Sequence, residues 1–219
     1  MQQVLGLASV PLNQIAISVS PDGSIFATPL GGDTNEAVVS APTGGSVCSL
    51  PAGYQAEFLG GNANVKLSDH AVGNAILVGN QGNDALVATA GNDTVLRGTG
   101  NDTLYGAGPV TLLGGNGNNL IVAASSPSYD IDAGNGNDTV YAVGSGTISG
   151  GAGANLIALF GPGGTSNLIQ PNGTSDRVGA GAGNTTVNAS GPSWCTAAAA
   201  TPCNSSAARA PRRWLAAVA

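Results

Sequence analysis

Gly-Asn-Asp returns three times at a nine-residue step in the stretch GNQGNDALVATAGNDTVLRGTGNDTLYG, which places Asp84, Asp93 and Asp102 at equal spacing. Leu86, Val95 and Leu104 each follow two residues after an acid. So short a unit constrains the fold more than any other property of the chain, because a repeat of fixed period stacks on itself. A helix is excluded: the aliphatic marks are flanked by β-branched residues, and glycine disfavours helix by about 1 kcal/mol per residue. Three residues of strand and six of turn make half a coil of a flattened spiral. Two units then make a coil of about 18 residues, stacked at the ~4.8 Å strand spacing.

The same register runs well beyond the three acids. Its aliphatic marks are Leu67, Ile76, Leu86, Val95, Leu104, Leu113, Ile121, Ile131, Val140, Ile148, Ile157, Leu168 or Ile169, Val178 and Val187. Turn-forming stretches such as GGNGNN, AGNGND and GGAGAN stand between them. Alternate units fall on the same edge of the spiral, so Asp84, Asp102, Asn119, Asp138 and Asn155 share one edge. Asp93, Thr111, the SYDID segment around Asp130 and Asn167 share the other.

With 35 Gly and only 4% aromatic residues, the core must be assembled from many small aliphatic contacts. Each is worth roughly 1.5–3 kcal/mol on burial, which places such a spiral near the margin of stability. Disordered glycine tracts lack the fixed aliphatic period seen here. Acids outnumber bases 12 to 6, and no basic patch lies before the last few residues, so nucleic acid is not an expected partner. No stretch approaches the ~20 apolar residues of a membrane span. The N-terminal sequence MQQVLGLASVPLNQIAIS lacks the positively charged region of a secretory signal, so export is expected by a route without one. Cys195 and Cys203 are able to pair with each other, and zinc lacks ligands because His70 is the sole histidine.

Asp84 and Asp102, one coil apart, bring carboxylates to within about 5 Å, a repulsion of roughly 3 kcal/mol at an effective dielectric of 20. Asn119 and Asn155, equivalent further along, make the same turn without that cost. A divalent cation between the acidic turns would turn the repulsion into attraction, and Ca2+ accepts carboxylate and carbonyl oxygens with loose geometry. The stretches GNQGNDALV, ATAGNDTVL, RGTGNDTLY and AGNGNDTVY resemble the G-G-x-G-x-D-x-U-x unit of the RTX (hemolysin-type) calcium-binding repeat proteins. The resemblance extends from Gly60 to Gly191 and implies an all-β, right-handed parallel β-roll, or β-solenoid, with Ca2+ held between turns of one edge. It also implies secretion and folding outside the cell. The metal positions it implies are Asp84, Asp93, Asp102 and Asp138, with Gly82, Gly91, Gly100 and Gly136. Asn83, Asn92, Asn101 and Asn137 accompany them. Arg97 departs from the pattern at the first glycine of its unit, and GAGPVTLLG loses the acid. The expectation is one good site, Asp84 with Asp102, partial sites at Asp93 and at Asp138, and later coils largely free of metal.

Three regions are expected: residues 1–58 as an N-terminal β cap or small β module, 59–191 as the roll, and 192–219 as an Ala- and Arg-rich tail. In the first, β-rich runs flank Pro21-Asp22-Gly23, and Val38, Val39, Val47 and Leu50 suggest short strands. The tail reads equally as a capping helix, an export signal or an irregular end. Asp130, Asp132 and Arg177 evoke polysaccharide lyases of β-helical form, but turn acids and a surface ion pair are the simpler reading. Thr94, Thr103 and Thr139 are too few for an ice-binding row, and no Ser or Cys has a His partner for nucleophilic catalysis. The chain is thus expected to be no enzyme but a calcium-binding roll, extracellular or on the cell surface. The alternatives are a metal-independent structural or adhesive solenoid, and an accessory module of a secreted degradative enzyme, for which an extracellular polysaccharide is the partner considered.

Overall fold

A computed structural model describes residues 61–69, 74–162 and 164–190, with strand segments 15–19, 25–29, 37–40, 47–49, 56–59, 193–197 and 203–205. All regular structure among these residues is β. The chain opens with β1 (Ile15–Val19), β2 (Ile25–Pro29), β3 (Ala37–Ser40), β4 (Val47–Ser49) and β5 (Ala56–Leu59). Then follow β6 (Lys66–Ser68), β7 (Ile76–Val78), β8 (Ala85–Ala88), β9 (Asp93–Leu96), β10 (Thr103–Gly106) and β11 (Val110–Leu113). Two long strands, β12 (Leu120–Asp132) and β13 (Thr139–Ser149), precede β14 (Leu156–Leu159), β15 (Ser166–Gln170), β16 (Asp176–Ala180) and β17 (Asn184–Ala189). The last are β18 (Ser193–Ala197) and β19 (Cys203–Ser205).

Every strand from β5 to β17 pairs in parallel with the strands one coil before and after it, and β18 and β19 pair with the strands one coil before them. Two ladders result. One runs β4, β6, β8, β10, the first part of β12, the first part of β13, β14, β16 and β18. The other runs β3, β5, β7, β9, β11, the second parts of β12 and β13, β15, β17 and β19. The molecule is a β-solenoid of about 7 turns. Parallel pairing does not start at residue 59: it reaches back to Ala37 in β3. Among the described residues only β1 with β2, which flank the Pro-Asp-Gly segment, and β2 with β3 pair antiparallel; the Pro-Asp-Gly residues lie outside those described.

The interior is a column of single aliphatic side chains. Leu67, Leu86, Leu104, Ile121, Val140 and Ile157 are fully buried on one ladder; Leu77, Val95, Leu112, Ile131, Ile148 and Ile169 fill the other. Two of the expected marks shift by one residue, since Leu77 and Leu112 point inward instead of Ile76 and Leu113. Consecutive aliphatics make the inward face ambiguous in sequence, and the alternating pleat resolves it. Residues 193–197 and 203–205 of the tail are strands added to the two ladders, not helix; its remaining residues, and His70, lie outside those described. Arg177 stands exposed on the ladder opposite to that of Asp130 and Asp132. Thr94 likewise stands on the ladder opposite to Thr103 and Thr139, which are separated by Leu120.

Candidate metal centre

The turns 79–84, 97–102, 114–119, 133–138 and 150–155 stack on one edge, here the first edge, and each ends on an inward Asp or Asn. That residue faces a backbone N–H with no strand partner, because ladder pairing begins one residue later, with Thr103 N donating to Asp84 O. A buried N–H requires an acceptor, and the side chain one coil onward provides it. Asp84 Oδ1 accepts from Val65 N at 2.9 Å, Asp102 Oδ1 from Asp84 N at 2.6 Å and Asn119 Oδ1 from Asp102 N at 3.0 Å. The ladder continues through Asp138, Asn155 and Asp176 at 2.8–2.9 Å. Asp and Asn serve equally in this role.

The second terminal atom separates the turns. Asn119 Nδ2 donates to Gly114 O and Gly117 O, and Asn155 Nδ2 to Gly150 O, so in these turns an amide satisfies inward carbonyls. Asp84 Oδ2 accepts from Asn80 N at 2.9 Å. Asp102 Oδ2 meets Arg97 Nη1 at 2.8 Å in an ion pair without solvent exposure. Asp138 Oδ1 accepts the Asn119 amide as well as its backbone N–H, while Asp138 Oδ2 is buried with no hydrogen-bond partner. Burial raises the pKa of Asp84 and of Asp138; the backbone bonds of both, and the charge of Arg97 near Asp138, oppose the rise.

Asp93 is the Gly-Asn-Asp acid of the second edge. Its register partners are Val110, Tyr129 and Gly146, one residue away from the expected Thr111 and Asp130. Asp93 Oδ1 accepts from Ala75 N at 2.8 Å, and Oδ2 is buried without a donor. Burial and the neighbouring Asp69 carboxyl push its pKa up to about 6. Asp69 was not expected, since it belongs to no Gly-Asn-Asp triplet; it stands at the place of a first turn glycine, directly after β6. Its Oδ1 accepts from Thr89 N and Thr89 Oγ1, both at 2.8 Å. An open depression bordered by Asn92, Asp93, Pro109, Val110 and Tyr129 gives solvent access to this edge.

The expected glycines and asparagines bring the coils together. A Cβ at Gly100 would lie 2.2 Å from Gly82 O, and one at Gly136 2.0 Å from Gly117 O, so only glycine permits this stacking. Gly82 is likewise closed by Ala63 O, while Gly91 holds a left-handed φ of 100°. Asn83, Asn101 and Asn137 point outward: the Oδ1 of each accepts the backbone N–H of the next coil, at 2.7, 2.7 and 2.8 Å. Asn92 N donates to Asn74 Oδ1 on the second edge.

A family model for the RTX calcium-binding nonapeptide repeat matches in four copies, over residues 72–104, 106–125 and 130–142. These are RTX repeats. No curated protein and no solved structure matches the chain. The RTX repeats imply Ca2+ as the bound ion and a structural or binding role for the roll. The donor sets agree with a hard divalent cation at Asp93 and Asp138, where a buried carboxylate oxygen has no donor. Asp69 and Asp93 are the groups that would hold an ion on the second edge. When bound, Ca2+ supplies the positive charge that lets these buried carboxyls ionise. Among the described residues no helix is long and apolar enough to cross a membrane.

Proposed function

We propose that this chain is a non-enzymatic calcium-binding roll in which Ca2+ completes folding outside the cell. Secretion into a calcium-rich medium follows from this reading, since extracellular modules bind at roughly 10⁻⁴–10⁻³ M and cytosolic calcium would leave the sites empty. One observation carries the proposal: Asp93 is almost fully buried, with one oxygen lacking a donor and a second carboxyl, Asp69, as neighbour. Burying such a pair without a cation is costly, and a divalent ion reverses the sign of that interaction. Of the four sequence-expected aspartates, Asp93 has the surroundings that most favour an ion. Asp138 comes next, then Asp84, whose oxygens both already accept backbone N–H groups.

The test is calorimetric titration of the full chain with Ca2+ against Asp93→Asn and Asp69→Asn. Asn retains the Oδ1 acceptor that the turn needs and removes the charge. Each substitution is expected to weaken the tightest site at least tenfold, and wild-type affinity in both would remove the second edge from consideration.

A metal-independent structural solenoid is the second reading, favoured by one observation: the Asx ladders of the first edge satisfy their own N–H groups from Val65 to Asn155. Chelation separates the two readings.

A further inference from the structure

We propose that Arg97 is a tethered cation: its guanidinium fills the ion position of the Asp102 turn, which therefore closes without Ca2+ and admits none. The inference rests on the calcium reading for what an ion position is, and on Arg97's own contacts for the rest.

Arg97 stands first in the turn 97–102, where the preceding turn of the same edge has Gly79. A Cβ added at Gly79 would lie 2.9 Å from Asp84 Oδ2. A side chain at the first position thus points at the carboxylate that ends the turn. Arg97 does so with its full length: Nη1 donates to Gly100 O and to Asp102 Oδ2, both at 2.8 Å. Those are a fourth-position carbonyl and a sixth-position carboxylate, the same kinds of oxygen that a hard cation gathers. The neutral turns repeat the arrangement on a smaller scale, with Asn119 Nδ2 donating to the fourth-position carbonyl Gly117 O.

The guanidinium is sealed in place. Its side chain is fully buried, and in the next coil Gly115, at φ 63°, lies across from it, where a Cβ would stand 3.2 Å from Nη2. Its charge also reaches Asp138, two coils along the same edge. A divalent ion beside Asp102 would have to displace a buried, covalently attached cation from an oxygen it already holds, and the two positive charges would repel at contact distance. At Asp102, Asn119 and Asn155 the first edge is therefore filled by nitrogen donors of the chain itself, whereas Asp138 keeps one oxygen without a donor. Calcium dependence is left to the second edge and, on the first edge, to Asp138 and Asp84.

Calcium stoichiometry by equilibrium dialysis, with thermal melting in chelator, tests this on the full chain and two variants. Arg97→Gly, which restores the repeat's first glycine, is expected to bind one more Ca2+ than the wild type, to melt lower in chelator and to recover when calcium is added. Asp102→Asn is expected to bind as many ions as the wild type while also melting lower in chelator. Unchanged stoichiometry in Arg97→Gly, or loss of an ion in Asp102→Asn, would overturn the proposal. Should Arg97→Gly not fold, the Asp102→Asn stoichiometry decides alone. A wild type that binds no Ca2+ would defeat the proposed function, yet an ion gained by Arg97→Gly would still uphold the role of Arg97.

Discussion

Asp93 has an ordinary carboxylate value of 3.8 when unfolded and about 6 in the folded chain, with burial as the main cause and Asp69 beside it. A carboxyl whose folded pKa is raised favours folding while protonated. Its contribution is complete below the unfolded value and disappears as pH rises through the folded one. In chelator, the protein should therefore gain stability on acidification from about pH 7 toward about pH 4.5, with most of the change between the two pKa values. The rises at Asp84 and Asp138 act in the same direction. Thermal melting against pH reads this directly, and Asp93→Asn should flatten the slope. Saturating Ca2+ should abolish it, because the ion favours the ionised carboxylate.

One turn differs from the next by what occupies its sixth position, and exchanging those residues should exchange the behaviour. Asn119→Asp recreates Gly-Asn-Asp in the turn 114–119 but removes the N–H that reaches Gly114 O, Gly117 O and Asp138 Oδ1. It sets two carboxylates about 5 Å or less apart, at a cost of roughly 3 kcal/mol at an effective dielectric of 20. The variant should melt lower in chelator and regain stability with calcium more steeply than the wild type; equal melting in chelator would mean that Asn119 is only a turn former. Gly136→Ala should be destabilising by about 1–3 kcal/mol from backbone strain alone, whatever the metal, since φ is 136° and Gly117 O occupies the space of a Cβ. At this level the sequence was readable where residue types were unambiguous. The nine-residue step, the two edges and the sharing of one edge by Asp84, Asp102, Asn119, Asp138 and Asn155 all follow from spacing. The inward choice within Ile76-Leu77-Val78 did not, because all three are aliphatic and only pairing selects the face. Asp69 was hidden for another reason: it takes part through a first-glycine position, which the triplet pattern does not mark. Arg97 was visible as a departure, but its meaning required knowing where a side chain at that position points.

A solenoid has few contacts beyond neighbouring coils, so its stability is close to a sum over coils and their interfaces. Different coils of this molecule are therefore free to differ in their need for metal. Coils from Asp102 to Asn155 hold their buried N–H groups and carbonyls with Asx amides and one guanidinium. The successive second-edge turns that carry Asp69 and Asp93 press carboxyls together. Extension of the ladders to β3 at one end and β18 and β19 at the other adds strands without further Gly-Asn-Asp triplets. That extent was not readable from the repeat, because pairing there relies on backbone hydrogen bonds that carry little sequence signature. Calcium should thus order part of the roll and leave part of it unchanged. Residue-resolved amide hydrogen exchange on the full chain, in chelator and in ~10 mM Ca2+, tests this most directly. The expected result is strong added protection at the Ala75 amide, which donates to Asp93, with the Asp102 and Asn119 amides protected in both conditions. Identical exchange at Ala75 with and without calcium would contradict calcium-coupled ordering of the roll.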